Sequence, residues 1–113
     1  MIEQYSFGNI VINGVTYIND IKIIQGKVVP EWWRKSGHFV DVDDIQEILK
    51  SKPDILVLGK GSPGQMKSTG ALREFLKNNG IELIEEKTSE AVKTFNRLFK
   101  AGKNVSAGFH LSC

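Results

Sequence analysis

The sequence has a single cysteine, Cys113, and this scarcity excludes a fold stapled by intramolecular disulfides. A lone thiol is consistent with a reducing compartment. Apolar runs such as Ile55–Leu58 and Ala91-Val92 fall far short of the ~20 residues that a membrane-spanning helix needs. The start, Met1–Gln4, lacks the basic and apolar regions of a signal peptide. We therefore expect a cytoplasmic chain with no removable leader and no membrane span.

Charge of one sign is also scarce, because 15 Lys and Arg residues face 13 Asp and Glu residues, for a net charge of +2. A protein dedicated to nucleic acid or to a membrane surface usually has a stronger basic excess. Three basic residues, Lys93, Arg97 and Lys100, recur at helical spacing. We interpret them as the solvated face of a helix, with a polyanion site as the alternative, and we predict no nucleic-acid partner.

What the chain does have is an ordinary globular composition, with 41% hydrophobic and 25% charged residues among 113. This length fits one domain, 1–113, whose core needs neither a disulfide nor a metal to fold. The chemistry-bearing residues His38, His110 and Cys113 fall short of the four ligands of a structural zinc site. We predict no metal, no cofactor, and a monomer or weak homo-oligomer.

The first 30 residues carry strand patterns separated by turn signals. Asn13-Gly14 accepts the positive φ angles of a tight two-residue turn, and β-branched residues flank it on both sides. The pattern predicts strands over Ile10–Ile12, Val15–Tyr17, Ile21–Ile24 and Lys27–Val29. These strands would form an N-terminal β-meander.

The remainder, residues 31–113, alternates helix and strand patterns after an aperiodic segment. The run Ile55–Leu58 is continuously apolar, as in a strand buried on both faces of a parallel sheet. Asp41 is a candidate N-cap for the first helix, and Thr88 or Ser89 for the last. The predicted order is helix Val42–Ser51, strand 55–58, helix Gly70–Asn79, strand Ile81–Glu86, a helix ending near Gly102, and strand Val105–Leu111. This order predicts an α/β fold of three layers, with a mainly parallel sheet and crossover helices.

The loop after Ile55–Leu58 matches the phosphate-binding pattern G-x-G-x-x-G, from Gly59 to Gly64. Pro63 removes one backbone donor, and the next helix begins several residues later, so tight dinucleotide binding is not expected. Two interpretations stay open, a plain connecting loop and a weak site for a small anion. The candidate ligand-binding residues are Gly59, Lys60, Gly61, Lys67, Ser68 and Thr69.

A second candidate surface is Trp32-Trp33-Arg34, since tryptophan and arginine are enriched at the energetic centres of protein interfaces. The alternative is that one tryptophan covers the core while the other packs beside Arg34. At the chain end, His110 and Cys113 would act as base and nucleophile only in a rigid electropositive pocket. We interpret them as a strand-end histidine and a free thiol, and predict no catalytic residue.

Several segments resemble the adipogenesis-associated domain family: Ile55–Gly61, the helix end Lys77–Leu83, and Thr88–Leu98. The closing run Gly108–Cys113 is similar to the end of the mammalian cytosolic member. That family includes archaeal and bacterial conserved hypothetical proteins and a mitochondrial respiratory complex I assembly factor. The resemblance covers nearly the whole chain and implies a three-layer α/β domain with an added β-hairpin region. It implies no catalytic residue and no cofactor.

Two classes of function therefore remain open. The first is a protein-interaction or assembly module, which the resemblance favours. The second is a binder of a small anion or nucleotide-type ligand, with or without catalytic activity. Its site would lie at the carboxyl ends of the parallel strands. A deep polar pocket at that edge would favour the second, and an exposed Trp32 or Trp33 beside a flat edge would favour the first.

Overall fold

The computed structural model describes residues 1–113 as three layers built around a central sheet. The strands are β1 (Ile2–Ser6), β2 (Asn9–Ile12), β3 (Val15–Tyr17), β4 (Ile21–Ile24), β5 (Lys27–Val29), β6 (Phe39–Val40), β7 (Ile55–Gly59), β8 (Lys67–Ser68), β9 (Glu82–Glu86) and β10 (Val105–Phe109). The helices are α1 (Gln46–Lys50), which extends a 3-10 turn over Val42–Ile45, α2 (Gly70–Asn78) and α3 (Thr88–Lys100). No helix has the length and apolarity required to cross a membrane.

The central sheet has the strand order β5-β4-β10-β7-β9. The last strand of the chain, β10, therefore lies in the middle, parallel to β7 and antiparallel to β4. All five residues of β10 are buried, as expected of a strand that is paired on both edges and covered on both faces. The α/β fold with a parallel strand core and crossover helices is confirmed.

The alternation of side chains along β7 divides the core into two parts. Val57 belongs to a cluster that joins the sheet to α3 and to β1 and β2. Leu56 and Leu58 point to the other face, where they pack with residues of α1 and α2 and with Trp32. Each face of the sheet is thus covered, which accounts for the uninterrupted apolar run in this strand.

The first 30 residues differ from a single meander. Strands β1, β2 and β3 form a separate antiparallel sheet, whereas β4 and β5 extend the central sheet. The predicted turn at Asn13-Gly14 is confirmed, with φ values of +49° and +81°. Strand β1 was not predicted, and its hydrogen-bonded partner is β2.

Two element ends also differ from prediction, and side-chain hydrogen bonds explain both. Thr88 is the first residue of α3 and not its N-cap. Its hydroxyl is already engaged, because it donates to the carbonyl oxygen of His110 at 2.6 Å and accepts from the N–H of Gly61 at 2.8 Å. Strand β10 ends at Phe109, two residues early, because the N–H of Leu111 leaves the sheet for the carboxylate of Asp20.

Gly108 in β10 offers a test of the packing against Trp32. A Cβ atom there would lie 2.7 Å from two ring carbons of Trp32, a distance at which the ring must move. We expect Gly108→Ala to lower the free energy of unfolding by about 1–3 kcal/mol, the usual cost of overpacking. Gly37→Ala is the matched control, because a Cβ atom there meets nothing within 4 Å. Urea denaturation of both variants measures the difference, and equal stabilities would contradict this packing.

Candidate functional site

The polar site of the fold forms where β4 begins and β10 ends. Because these strands are antiparallel and Ile21 lies opposite Phe109, the residue before the one strand faces the residue after the other. Asp20 therefore meets His110, although they are 90 residues apart in the chain. Arg34, from the segment between β5 and β6, completes the cluster and is buried with His110.

The carboxylate of Asp20 contacts three groups. Its Oδ2 atom accepts from Nδ1 of His110 at 2.8 Å and lies 2.9 Å from Nη2 of Arg34, with which it forms an ion pair. Its Oδ1 atom accepts from the N–H of Leu111 at 2.8 Å. Since Nδ1 of His110 donates to this carboxylate, its 3.3 Å approach to Nη2 of Arg34 joins two donors and is not a hydrogen bond.

The guanidinium of Arg34 is held from two further sides. Nη2 also donates to the carbonyl oxygen of Gly37 at 2.8 Å. The guanidinium carbon lies 4.6 Å from the centre of the Trp32 ring, which is cation–π geometry. The indole N–H of Trp32 in turn donates to the carbonyl oxygen of Asp44 at 2.9 Å. The aperiodic segment after Pro30 is therefore fixed to the sheet by Trp32 and Arg34.

Charges in this cluster shift two pKa values. Burial alone would raise the pKa of Asp20, but the hydrogen bonds from His110 and from the N–H of Leu111, with the charges of His110 and Arg34, outweigh it and lower the pKa. The pKa of Tyr5 is raised by burial and then by the nearby charge of Asp20. The Tyr5 hydroxyl, kept protonated, donates to the carbonyl oxygen of Leu111 at 2.9 Å.

Three buried polar atoms of the cluster have no partner: Nε and Nη1 of Arg34, and Nε2 of His110. An aspartate on Nδ1 with a free Nε2 is the arrangement that orients a general base. Here, however, no hydroxyl or thiol lies within hydrogen-bond distance of Nε2. The dyad alone therefore forms no nucleophilic set. Neither Asp20 nor His110 lies in a recognisable motif, so the sequence did not predict their pairing.

A groove of about 460 Å³ lies in front of this cluster, with Asp20 and Trp32 in its lining. Two large apolar side chains in the lining are highly exposed, Trp33 at 76% and Ile18 at 73%. Glu31 is the second carboxylate of the groove and accepts from the side-chain amide of Asn19 at 3.2 Å. We call Ile18, Glu31 and Trp33 the Trp33 surface.

The tryptophans thus have different positions. Trp32 is 6% exposed, and it both covers the core and packs beside Arg34, two roles that we expected of separate rings. Trp33 performs neither and faces solvent. Of the three predicted partner-binding residues, only Trp33 is accessible, and its binding role stays a prediction.

The backbone of the predicted anion loop is largely occupied by contacts within the protein. The N–H of Lys60 donates to the carbonyl oxygen of Glu86 at 2.8 Å, and that of Gly61 donates to the Thr88 hydroxyl. The N–H of Ser62 donates to the carbonyl oxygen of Ser112 at 3.0 Å. Gly59 is closely packed and does not open a phosphate-binding loop, since a Cβ atom there would lie 2.6 Å from the Phe109 ring.

The hydroxyl donors of this loop are engaged by carboxylates. Ser68 donates from its N–H and its hydroxyl to Glu85, at 2.9 and 2.7 Å. The Thr69 hydroxyl donates to Asp41 at 2.9 Å and caps α2 by accepting from the N–H of Leu72. The N–H of Lys67 donates to the carbonyl oxygen of His38. Neither groove of the fold includes residues 59–69, and the anion hypothesis stays a prediction.

Comparison with known proteins places the chain in a family. The model of the family described as "Protein of unknown function (DUF498/DUF598)" matches residues 2–110. The chain therefore belongs to this family. That description assigns no activity, cofactor or site.

Solved structures are similar over the whole length. The protein MT938 is 27% identical, with 100% of this chain and 98% of that chain covered and a TM-score of 0.83. A conserved hypothetical protein of Pyrococcus horikoshii is 25% identical, with coverage of 100% and 99% and a TM-score of 0.85. A protein of Xanthomonas campestris, 17% identical with coverage of 98% and 83%, shares the fold at a TM-score of 0.86.

The lowered pKa of Asp20 predicts a pH-dependent contribution to stability. A carboxyl whose folded pKa lies below its unfolded value stabilises the protein above the unfolded pKa, ~3.9, and loses that contribution as the pH falls through the folded value. We expect Asp20→Asn to lower the free energy of unfolding at neutral pH by about 3 kcal/mol, because Arg34 loses its buried counter-charge.

Urea denaturation at neutral pH and at about pH 3, below the unfolded aspartate pKa, measures this effect. The difference between the native protein and Asp20→Asn should shrink at the lower pH. Asp54→Asn serves as the control, because Asp54 is exposed and lies outside the Asp20 cluster. A difference that stays constant with pH would show that the carboxylate charge contributes nothing.

Proposed function

We propose that this chain is a protein-interaction module of the assembly type, acting in the cytoplasm through the Trp33 surface. The observation that carries the proposal is the exposure of Trp33 and Ile18 in the lining of one groove. Phe7, 62% exposed, precedes Gly8, which lines the same groove. Tryptophan is the residue most enriched at the energetic centres of interfaces, and clustered apolar exposure is typical of binding surfaces.

The rigidity behind this surface supports the same function. Trp32 is anchored to Asp44 and stacked on Arg34, so the neighbouring Trp33 extends from a backbone already fixed. The N–H of Trp32 also donates to the carbonyl oxygen of Asp20 at 2.8 Å. A side chain presented on an ordered backbone loses less conformational entropy on binding than one on a mobile loop.

The resemblance to a family that includes a mitochondrial complex I assembly factor agrees with an assembly role. The alternative function, binding of a small anion by residues 59–69, has less support. Its hydroxyls on Ser68 and Thr69 already donate to Glu85 and Asp41. Those carboxylates also place negative charge beside the site that an anion would occupy.

Photo-crosslinking in the source cells tests the interaction. A benzophenone amino acid at position 18 should form an adduct with a partner protein, whereas the same group at position 75 should not. Phe75 is the matched position, because it is 37% exposed and lines the other groove, of about 380 Å³.

The crosslinked partner is then purified and titrated with the native chain. Trp33→Ala should weaken binding at least about tenfold, as at an interface hot spot, and Phe75→Ala should leave it unchanged. Adducts of equal yield at both positions, or binding that is insensitive to Trp33→Ala, would refute this surface. An adduct with a second copy of the chain would identify self-association as its use.

A further inference from the structure

We infer that the groove at the Trp33 surface takes a cationic side chain, arginine or lysine, from the partner protein. This inference rests on the proposed interaction function and adds the chemistry of the residue that is recognised. It follows from the charges of the lining, from the exposed indole, and from the backbone that holds Glu31 in place.

The charged side chains that line the groove are both carboxylates. Asp20 and Glu31 are there, and no lysine, arginine or histidine is. The charge of Asp20 is offset from behind by Arg34, at 2.9 Å. Glu31 has no such offset, because its hydrogen-bond partner within the chain is the neutral amide of Asn19. In a chain of net charge +2, the groove is therefore a local site of uncompensated negative charge.

The exposed indole of Trp33 supplies the second element of cation recognition. The face of a tryptophan ring attracts lysine and arginine more strongly than that of any other side chain. The chain makes this pairing internally, where Arg34 lies over Trp32. One residue further along, Trp33 presents the same ring to solvent, in the groove that also holds the Glu31 carboxylate.

The backbone of Glu31 is the third element. Its φ of +58° is in the left-handed region, which a residue with a side chain rarely adopts. The next residue fixes the backbone on one side of Glu31, since the N–H of Trp32 donates to the carbonyl oxygen of Asp20 at 2.8 Å. Such strain persists where surrounding structure fixes it, and it clusters at ligand-binding sites. Here it carries a carboxylate to the groove beside Trp33.

The probe is the tripeptide acetyl-Gly-Arg-Gly-amide, compared with its citrulline counterpart, which has the same shape without the charge. Titration to roughly 10 mM, the range of weak single-site contacts, is followed by the two indole N–H resonances. The Trp33 resonance should shift with the arginine peptide and saturate. The Trp32 resonance should shift less, because that ring is 6% exposed and its N–H is bonded to the carbonyl oxygen of Asp44. The citrulline peptide should bind about two- to fivefold more weakly, and added salt should reduce the difference.

Two variants and their controls locate the contact. Glu31→Gln keeps an acceptor for Asn19 but removes the charge, so the preference for arginine over citrulline should disappear. Trp33→Ala should abolish saturable binding. Glu74→Gln, which alters an exposed carboxylate on α2, and Phe75→Ala should leave both affinities unchanged.

The outcomes separate this inference from the proposed function. Equal binding of the two peptides, no saturable shift, or loss of the preference with Glu74→Gln would overturn the cationic inference. If a crosslinked partner whose binding depends on Trp33 is nevertheless found, the interaction function stands. The groove then recognises a residue other than arginine or lysine. If arginine binds and no partner is found, the groove is a site for a small cationic molecule and the interaction function is wrong.

Discussion

The carboxylate of Asp20 is the contact on which the rest of this end of the fold depends. It joins three parts of the chain that are distant in sequence: the start of β4, the segment after Pro30, and the end of β10. Removing a charge from water is costly unless a partner of opposite charge is also buried. Asp20 and Arg34 meet that condition for each other, and each requires the other to stay in place.

The position of Arg34 then determines which tryptophan is inside. Its guanidinium covers the Trp32 ring, and β10 accommodates that ring because Gly108 has no side chain. With Trp32 committed to the core, the next residue in an extended segment points the opposite way. Trp33 is therefore exposed because its neighbour Trp32 packs into the core. The exposure is a structural consequence of the cluster and does not depend on the mobility of a loop.

Local patterns predicted those parts of the fold that are determined locally. The Asn13-Gly14 turn, the cap at Asp41 and the buried strand Ile55–Leu58 each depend on residues adjacent in sequence, and the structure has all three. The pairing of β4 with β10 depends on residues about 90 positions apart, and no local pattern encodes it. Without that pairing, Asp20 is a turn residue and His110 a strand-end histidine. The Asp20–His110 site could not be predicted, because it forms only through this long-range strand pairing.

The loop over residues 59–69 and the Asp20 cluster are neighbours at the carboxyl edge of the parallel strands, where the N–H of His110 donates to the carbonyl oxygen of Gly59. At the loop over residues 59–69, where α/β folds often bind phosphates, the protein's own hydroxyls and carboxylates satisfy one another. At the Asp20 cluster, the imidazole is oriented but buried, with no nucleophile in reach. At the Trp33 surface, the groups open to solvent are the indole of Trp33, the side chain of Ile18 and the carboxylate of Glu31. In the interaction function that we propose, these groups hold the partner by contact and charge.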